Sequence, residues 1–571
     1  MPLPTPFQAT TLMLAAATAV VLGKPTHQVP VETRGYPTSG IQWKPCPDAL
    51  NAAASLSVEC GTLDVPLDYT AANSTEKLEL SLVRVPAVKK SSKHSILFNF
   101  GGPGLEVRYT LASLADMLQA VTGGEHDLIG WDPRGTASTL TFSCFANVTD
   151  RGSVISQFNL GNASDVVRGG SWAAGKNYAD ACAEYPEAQR RGPLISSAFT
   201  ARDAMQIVDA VEEDGLLRYW GLSYGTDLGV TLAALFPDRI EKVIIDGVYT
   251  PIQYFNELTD SEGFGSADDT FAEFFRQCLS TPGVCQLARS HPDATAEQLE
   301  SAAYDLIEEL KYRPIAYAGY VLGYAELKTA IRFSLYSPNG FLSLDKILDA
   351  FLAEPRNETL AGAELVKANS VGLAGIELVD DAPLGIECTD KAPRTNSFDI
   401  VNTAFDKAQS ASRLLGDSLV AAIATCAQWK LETRERYTGD FTEVKPRKPL
   451  LVIGNTYDSA TSIKSARNIS ETIEGSVLLE HGGFGHTSIQ QPSLCTAKAI
   501  QNFFRDGVLP EHNTLCSTPT TPFEFAVSGP TWQDLFPQLG FEPPSTNGTK
   551  SARVKGRGHD DAMRNIGRRS F

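Results

Sequence analysis

Three things are scarce in this chain, and each scarcity excludes something. Beyond the first thirty residues no stretch reaches the roughly 18 uninterrupted apolar residues needed to span a bilayer, so stable membrane insertion is not expected. Positive charge is in deficit. The 571 residues carry 49 Lys and Arg against 67 Asp and Glu, a formal net charge of −18, which argues against binding nucleic acid or an anionic membrane by net attraction. Metal motifs are missing too: neither C-x-x-C nor H-E-x-x-H occurs, so no metal or organic cofactor is implied. No internal repeat is evident. What is there, 43% hydrophobic and 20% charged residues, describes a globular protein, and the length allows roughly two to four domains. Nothing in the composition speaks to oligomeric state.

The apolar run Leu12–Leu22, followed by Gly23 and Lys24, has the length of a signal-peptide core and is short for a membrane span. Residues 1–23 are therefore read as a signal peptide cleaved near Gly23. Ten cysteines follow: Cys46, Cys60, Cys144, Cys182, Cys278, Cys285, Cys388, Cys426, Cys495 and Cys516. An even count behind such a leader favours disulfides. Pairing of sequence neighbours is the expectation, Cys46–Cys60 through Cys495–Cys516, although sequence alone does not determine connectivity. Six N-x-S/T sequons, at Asn73, Asn147, Asn162, Asn357, Asn468 and Asn547, agree with a secreted, extracellular destination and are candidate glycosylation sites.

Along the chain, Cys60–Tyr69 and Lys77–Val85 read as alternating strands. Ser95–Phe100 is an apolar strand running into Gly101-Gly102-Pro103-Gly104, with a helical stretch, Tyr109–Val121, after it. His126–Trp131 is another strand, ending at Asp132-Pro133-Arg134-Gly135. The amphipathic helix Thr200–Glu213 leads into Leu217–Trp220 and then Gly221-Leu222-Ser223-Tyr224-Gly225. Lys242–Val248 follows as a buried-type strand. Strands alternating with helices argue for a mostly parallel α/β sheet covered on both faces. From about Pro251 to Trp429 the rhythm breaks into helices and loops, read as an inserted cap. Its better helices are Asp269–Leu279, Ala294–Leu310, Tyr324–Ser334 and Leu344–Phe351. Strands resume at Pro449–Asn455 and Ser476–Glu480, and Ala497–Asp506 closes the pattern as a helix. The basic, apolar-poor stretch from about Pro543 reads as disordered.

The chemistry centres on Ser223. A strand, a G-x-S-x-G turn and a helix of small residues suit a nucleophile elbow, in which a strained turn exposes the serine hydroxyl. Serine needs an adjacent base, and the base needs a third group to orient it. Asp458 follows the strand around Leu450–Ile453, and His486 follows the next one. Both would lie at the carboxyl edge of the sheet. Asp458 could instead cap a helix at Thr461–Ala466, and His481 competes with His486 but ends its strand too early. His94, His126, His291, His512 and His559 read as surface or loop residues. Gly101–Gly104 offers backbone N–H groups for an oxyanion hole, with Gly104 or Leu105 as one donor and Tyr224 as the other.

Trp43-x-x-Cys46, Val65-Pro66-Leu67-Asp68-Tyr69, Gly101-Gly102-Pro103-Gly104, Asp132-Pro133-Arg134-Gly135, Gly221-x-Ser223-Tyr224-Gly225-Thr226, Gly454-Asn455-x-x-Asp458, Gly485-His486 and Gly507-Val508-Leu509-Pro510 with Cys516 occur in that order. Over roughly Trp43–Cys516 the chain resembles the secreted tripeptidyl-aminopeptidase-like α/β hydrolases, relatives of proline iminopeptidases. The resemblance implies the α/β-hydrolase fold, a helical cap, and Ser223, Asp458 and His486 as the triad. It departs where Gly104 is followed by Leu105-Glu106-Val107-Arg108 rather than by more glycine, which is expected to add side chains beside the oxyanion hole. Thr461-Ser462 also stands where Thr-Pro is usual. An aminopeptidase needs an anion for the substrate's ammonium, because an unpaired buried charge is costly. Glu387 and Asp390 are the candidates, with a solvated loop as the plain alternative.

The resulting layout is a signal peptide (1–23), a first core part (40–250), a cap (251–430), a second core part with the C-terminal module (431–542) and a basic tail (543–571). The leading expectation is a secreted serine hydrolase working through an acyl-enzyme on peptides with a free N-terminus. One alternative is an esterase or lactonase acting on a small natural product; another is a non-catalytic binding protein on a hydrolase scaffold.

Overall fold

In a computed structural model of the chain, residues 40–89, 94–212, 214–376 and 381–544 are described. The expected signal peptide, the sequon at Asn547, His559 and all but the first two residues of the basic tail lie outside them.

Strands β1 (Lys44–Pro45), β2 (Glu59–Pro66), β3 (Lys77–Val85), β4 (Ser95–Asn99), β5 (Asp127–Trp131), β6 (Leu217–Leu222) and β7 (Ile240–Asp246) precede a long insertion. That insertion carries only the hairpin β8 (Ile315–Tyr317) and β9 (Tyr320–Leu322). Strands β10 (Leu451–Tyr457), β11 (Val477–Phe484) and β12 (Thr514–Ser517) complete a ten-stranded sheet in the order β1-β2-β3-β5-β4-β6-β7-β10-β11-β12. β1/β2, β2/β3 and β3/β5 pair antiparallel, and every later pair is parallel. The strand exchange β5-β4-β6 is a topological switch, and β6, β7, β10 and β11 all deliver their carboxyl ends to the same edge, where ligands bind in open parallel sheets.

The central strands are apolar on both faces because both are covered. In β6, Leu217 and Tyr219 enter one core while Trp220 and Leu222 enter the other; Val243/Ile245 and Ile244 of β7 divide in the same way. One face is covered by Ser197–Val211 and Tyr224–Leu235. The other is covered by Val107–Ser113, Ala115–Thr122 and Leu494–Asp506. The expected single helix at Tyr109–Val121 is thus two, broken at Leu114 (φ −100°, ψ 9°). His126, expected on a surface or loop, is 1% exposed at the foot of β5, and burial lowers its pKa to about 4, keeping the imidazole neutral.

Between β7 and β10 the insertion builds a core of its own around Phe271, Phe274, Phe341 and Leu348. Its helices include Ala267–Ser280, Ala296–Tyr312, Tyr324–Leu335, Pro338–Leu352, Glu358–Ile376, Ala382–Asp390, Phe398–Ala411 and Val420–Ala427. Before it, the helix Val167–Glu184 escapes sequence reading because Gly169, Gly170 and Gly175 interrupt its pattern, each carrying a helix cost of about 1 kcal/mol relative to Ala.

Five disulfides join Cys46 to Cys60, Cys144 to Cys182, Cys278 to Cys285, Cys388 to Cys426 and Cys495 to Cys516. Bonds of this number belong to chains matured in an oxidising compartment. No described helix is long and apolar enough to cross a membrane.

Several motif residues turn out to be structural. The Arg134 guanidinium is fully buried; it pairs with Asp203 at 2.7 Å and donates to the carbonyls of Pro66 and Leu67 at 2.7 and 2.5 Å. Tyr69 donates to the same carboxylate at 2.7 Å. The Val65–Tyr69 and Asp132–Gly135 motifs are therefore two halves of one buried clamp, which satisfies a charge that would be costly alone.

Candidate active site

Ser223 sits between β6 and the helix Tyr224–Leu235 at φ 56°, ψ −128°, a backbone conformation that costs a non-glycine residue of order 1–3 kcal/mol. The turn is held from three sides. The Ser223 N–H donates to the Asp246 carbonyl at 3.0 Å, while its own carbonyl accepts from Thr226 N and Oγ1 at 2.8 and 2.6 Å. The flanking glycines have no room for a side chain: a Cβ on Gly221 would lie 2.0 Å from the Gly225 oxygen, and one on Gly225 would lie 2.5 Å from the Asn99 oxygen. The elbow expected from G-x-S-x-G is thus a steric necessity of strand and helix running so close.

His486 follows β11. Its backbone N–H donates to the Tyr336 carbonyl at 2.9 Å, and Asn455 Nδ2 holds the Gly485 and Thr487 carbonyls at 2.8 Å each. Nδ1 of the ring lies 3.2 and 3.1 Å from the two Asp458 oxygens and 3.1 Å from Thr461 Oγ1. Asp458 also accepts from Ala460 N, Thr461 N, Thr487 N and Thr461 Oγ1 at 2.8, 2.9, 3.1 and 2.7 Å. Burial pushes this carboxyl up, but the imidazole and the backbone amides outweigh burial and hold it below the usual carboxylate range. Asp458 is not a helix cap: Ser462 caps Ile463–Thr472 instead.

Asp246, at the end of β7, ties these parts together. Its carbonyl takes the Ser223 N–H, and its carboxylate accepts Ser488 N and Oγ at 2.9 and 2.6 Å. A Cβ on the next residue, Gly247, would stand 3.5 Å from His486 Cε1. Nucleophile turn and histidine loop therefore rest on one strand end. The competing His481 is also buried, but its Nδ1 meets Thr496 Oγ1 at 2.9 Å, and burial lowers its pKa to about 4.

The glycine loop lies against the elbow. A Cβ on Gly101 would fall 2.7 Å from Ser223 Cβ and 3.0 Å from the Tyr224 nitrogen. The Gly101 amide donates to Asn99 Oδ1 at 2.9 Å, and the Leu105 amide turns back to the Gly101 carbonyl at 3.4 Å. Leu105 is thereby corrected as a donor, because its N–H closes the turn. The amides of Gly102 and Gly104 make no hydrogen bond among the described residues. Nothing in the sequence distinguishes one glycine amide of the loop from the next.

Two side chains of the Leu105–Arg108 departure, Leu105 and Arg108, do not crowd this loop as expected. Leu105 is 1% exposed in the core beneath the sheet, and Arg108 pairs with Asp132 at 2.7 Å. Glu387 and Asp390 sit on the helix Ala382–Asp390, not on a solvated loop. Asp390 is occupied by Ser197 N and Oγ at 2.8 and 2.6 Å and by Tyr254 OH at 3.3 Å. Glu387 stands 3.5 Å from Lys391 with about a fifth of its side chain exposed, on the wall of a cavity, and burial raises its pKa to about 7 against the pull of Lys391. The cluster extends to Asp227, which sequence reading also missed. This carboxyl is completely buried in the first turn after the elbow, and neither oxygen has a hydrogen-bond partner among the described residues.

Comparison with known proteins agrees with this architecture. The sequence profile of the family described as TAP-like protein matches residues 412–516, a span that starts inside the region read as cap and holds Asp458, His486 and Cys495–Cys516 but not Ser223. Serine protease Hip1 of Mycobacterium tuberculosis is 25% identical over 524 residues, covering 89% of this chain and 96% of that protein. Tripeptidyl aminopeptidase of Streptomyces coelicolor is 23% identical over 515 residues, covering 85% and 87%. The doubly covered sheet, the serine elbow after β6 and these matches give the chain the α/β-hydrolase fold, with a TAP-like segment over residues 412–516 and relatives named as a serine protease and a tripeptidyl aminopeptidase.

Proposed function

We propose that the chain is an exported aminopeptidase acting through an acyl-enzyme, with Ser223 as nucleophile, His486 as base and Asp458 as the orienting acid. The observation that carries this reading is the Asp458–His486 pair, 3.1 Å apart and buried, braced through Asp246 to the same strand end as the Ser223 turn. With Nδ1–H directed at Asp458, the other ring nitrogen is left as a proton acceptor.

In the first half-reaction Ser223 Oγ bonds to the substrate carbonyl carbon while its proton passes to His486 Nε2. The carbonyl oxygen becomes an oxyanion received by the amides of Tyr224 and of Gly102 or Gly104. Gly102 is the better placed, being adjacent to the glycine that touches Tyr224 N. Collapse expels the amine, which takes the proton from His486. Water then repeats the sequence and frees the acid. Asp458 stays ionised throughout, because five hydrogen-bonding contacts favour its charge.

Glu387 is the group proposed to hold a substrate ammonium, since Asp390 is already occupied by internal donors. The relatives named a serine protease and a tripeptidyl aminopeptidase support a peptide substrate. Of the two residues behind the ester alternative, Leu105 and Glu106, Leu105 is buried in the core. Export is supported by the five disulfides, and Asn73, Asn147, Asn357 and Asn468 are exposed sequons. A panel of free-amine aminoacyl and tripeptidyl anilides, their N-acetylated counterparts and simple aryl esters tests the reading. Turnover of the free-amine anilides supports it, and cleavage of esters alone would overturn the peptidase assignment.

A further inference from the structure

Beside the site lies a cavity of about 330 Å³, walled by the helices Val167–Glu184, Tyr324–Leu335, Ala382–Asp390 and Val420–Ala427. Two contacts join it to the reacting groups. Pro383, on its wall, packs against the oxyanion loop, where a Cβ on Gly104 would stand 3.1 Å from the proline ring. The helix carrying its wall residues Lys328, Arg332 and Phe333 leads directly into Tyr336, whose ring lies edge-on to His486 at 5.2 Å. The chamber thus borders the oxyanion loop through Pro383, and its wall joins helices of the inserted region to Arg151, Phe158 and Tyr178 from ahead of it.

Its wall carries six charged side chains, and each has a partner inside the protein. Arg151 meets Asp381 at 2.7 Å, and Lys328 meets Asp417 at 2.6 Å. Glu387 meets Lys391 at 3.5 Å, and the Arg332 guanidinium lies 5.3 Å from the Phe264 ring centre. Asp381 further accepts from Ser143 Oγ and Cys144 N at 3.0 and 2.7 Å, and Asp417 from Tyr324 OH at 2.7 Å. Arg151, Asp381, Lys328 and Asp417, satisfied in this way, ask for no charged ligand, and Glu387 is the wall charge already proposed for the substrate's ammonium. What they leave facing the space is apolar: Ile155, Phe158, Phe333, Leu384, Leu414 and Leu415.

We infer that this chamber is the acyl-side specificity pocket and takes a bulky aliphatic or aromatic group of the substrate. The assignment to the acyl side follows from Pro383 on the oxyanion loop. The acyl carbon stays at that loop through both half-reactions, whereas the leaving amine departs with the histidine's proton. The volume corresponds to about eleven waters at roughly 30 Å³ each. Water held by an apolar wall is weakly bound, so an apolar group that displaces it gains affinity. The inference rests on the acyl-enzyme reading and deepens it by naming the substrate class.

Two measurements separate this inference from that reading. The first is kcat/KM on p-nitrophenyl esters from acetyl to octanoyl, and on Ala against Leu and Phe p-nitroanilides, for the wild type, Ala421→Phe and Ala422→Phe. The wild type is expected to gain about fourfold per added methylene, and filling the chamber is expected to cut the octanoyl-to-acetyl ratio at least tenfold. The second is the rise in melting temperature on titrating n-hexanol into Ser223→Ala, which needs no nucleophile, compared with the same protein carrying Ala421→Phe. A rise that the filled chamber abolishes supports the pocket even if Ser223 proves not to be the nucleophile. A wild type indifferent to chain length, an unchanged ratio in both filled variants, or a hexanol response unaffected by Ala421→Phe would overturn it.

Discussion

Replacing Asp458 by Asn tests the catalytic geometry at its most constrained point. One oxygen, Oδ1, accepts from Ala460 N at 2.8 Å and Thr461 N at 2.9 Å. The other, Oδ2, faces Thr487 N at 3.1 Å and Thr461 Oγ1 at 2.7 Å, and the hydroxyl can rotate to accept. The new amide group therefore goes to the Oδ2 side, where a single N–H, that of Thr487, is opposed by another donor. One such loss costs about 1–3 kcal/mol, so the fold should survive with a lower melting temperature. The imidazole fares worse. An amide N–H aimed at Nδ1 selects the tautomer in which Nδ1 accepts and Nε2 carries the hydrogen, leaving no acceptor for the Ser223 proton. A fall in kcat of about 10⁴-fold is expected, read by anilide turnover beside a thermal melt and the rate of fluorophosphonate labelling. A loss below tenfold in a well-folded Asp458→Asn would refute Asp458 as the orienting acid.

Ser223→Ala should lose fluorophosphonate labelling and at least about 10⁴-fold in turnover while melting normally; persistent activity would put the nucleophile elsewhere. Glu387→Gln should raise KM for free-amine anilides and leave N-acetylated substrates little changed, whereas a purely structural Glu387 would move both alike. Because Glu387 is raised to about 7, its charge is present above that pH and lost below it, so KM for free amines should climb as pH falls from about 8 to 6. For stability the sign runs the other way. Asp246 and Glu387, raised to about 6 and about 7, contribute fully below their unfolded values near 4 and less as pH rises through the folded ones. Chemical denaturation of Asp246→Asn from pH 4 to pH 8 should show the variant gaining on the wild type as pH rises, and parallel curves would contradict a raised Asp246. Removing the Cys388–Cys426 disulfide, which closes a 38-residue separation, should cost about 2–4 kcal/mol in the same assay.

The sequence by itself determined the chemistry-bearing parts, because each is written in a few adjacent residues. A serine between two glycines at a strand end can be read locally, and so can an Asp and a His after successive apolar strands. Alternation on both sides of β6, β7 and β10 requires two covered faces, which leaves a parallel sheet as the solution. What depended on tertiary structure is everything decided by distant partners. Leu105 and Arg108 looked like neighbours of the oxyanion hole, yet a buried core and Asp132 draw them away. Asp390 looked available until Ser197, 193 residues earlier in the chain, took both its oxygens. His126 looked like a loop residue, but Phe504, which packs against its ring at 6.4 Å, belongs to a helix, Leu494–Asp506, far from it in the sequence. Asp246 and Tyr336 carry no local signal at all. Their roles exist only because β7 ends beside the histidine loop and the inserted helices descend onto His486. Local covalent order sets which groups can react; long-range packing, which burial and hydrogen bonding must satisfy together, sets which of them meet.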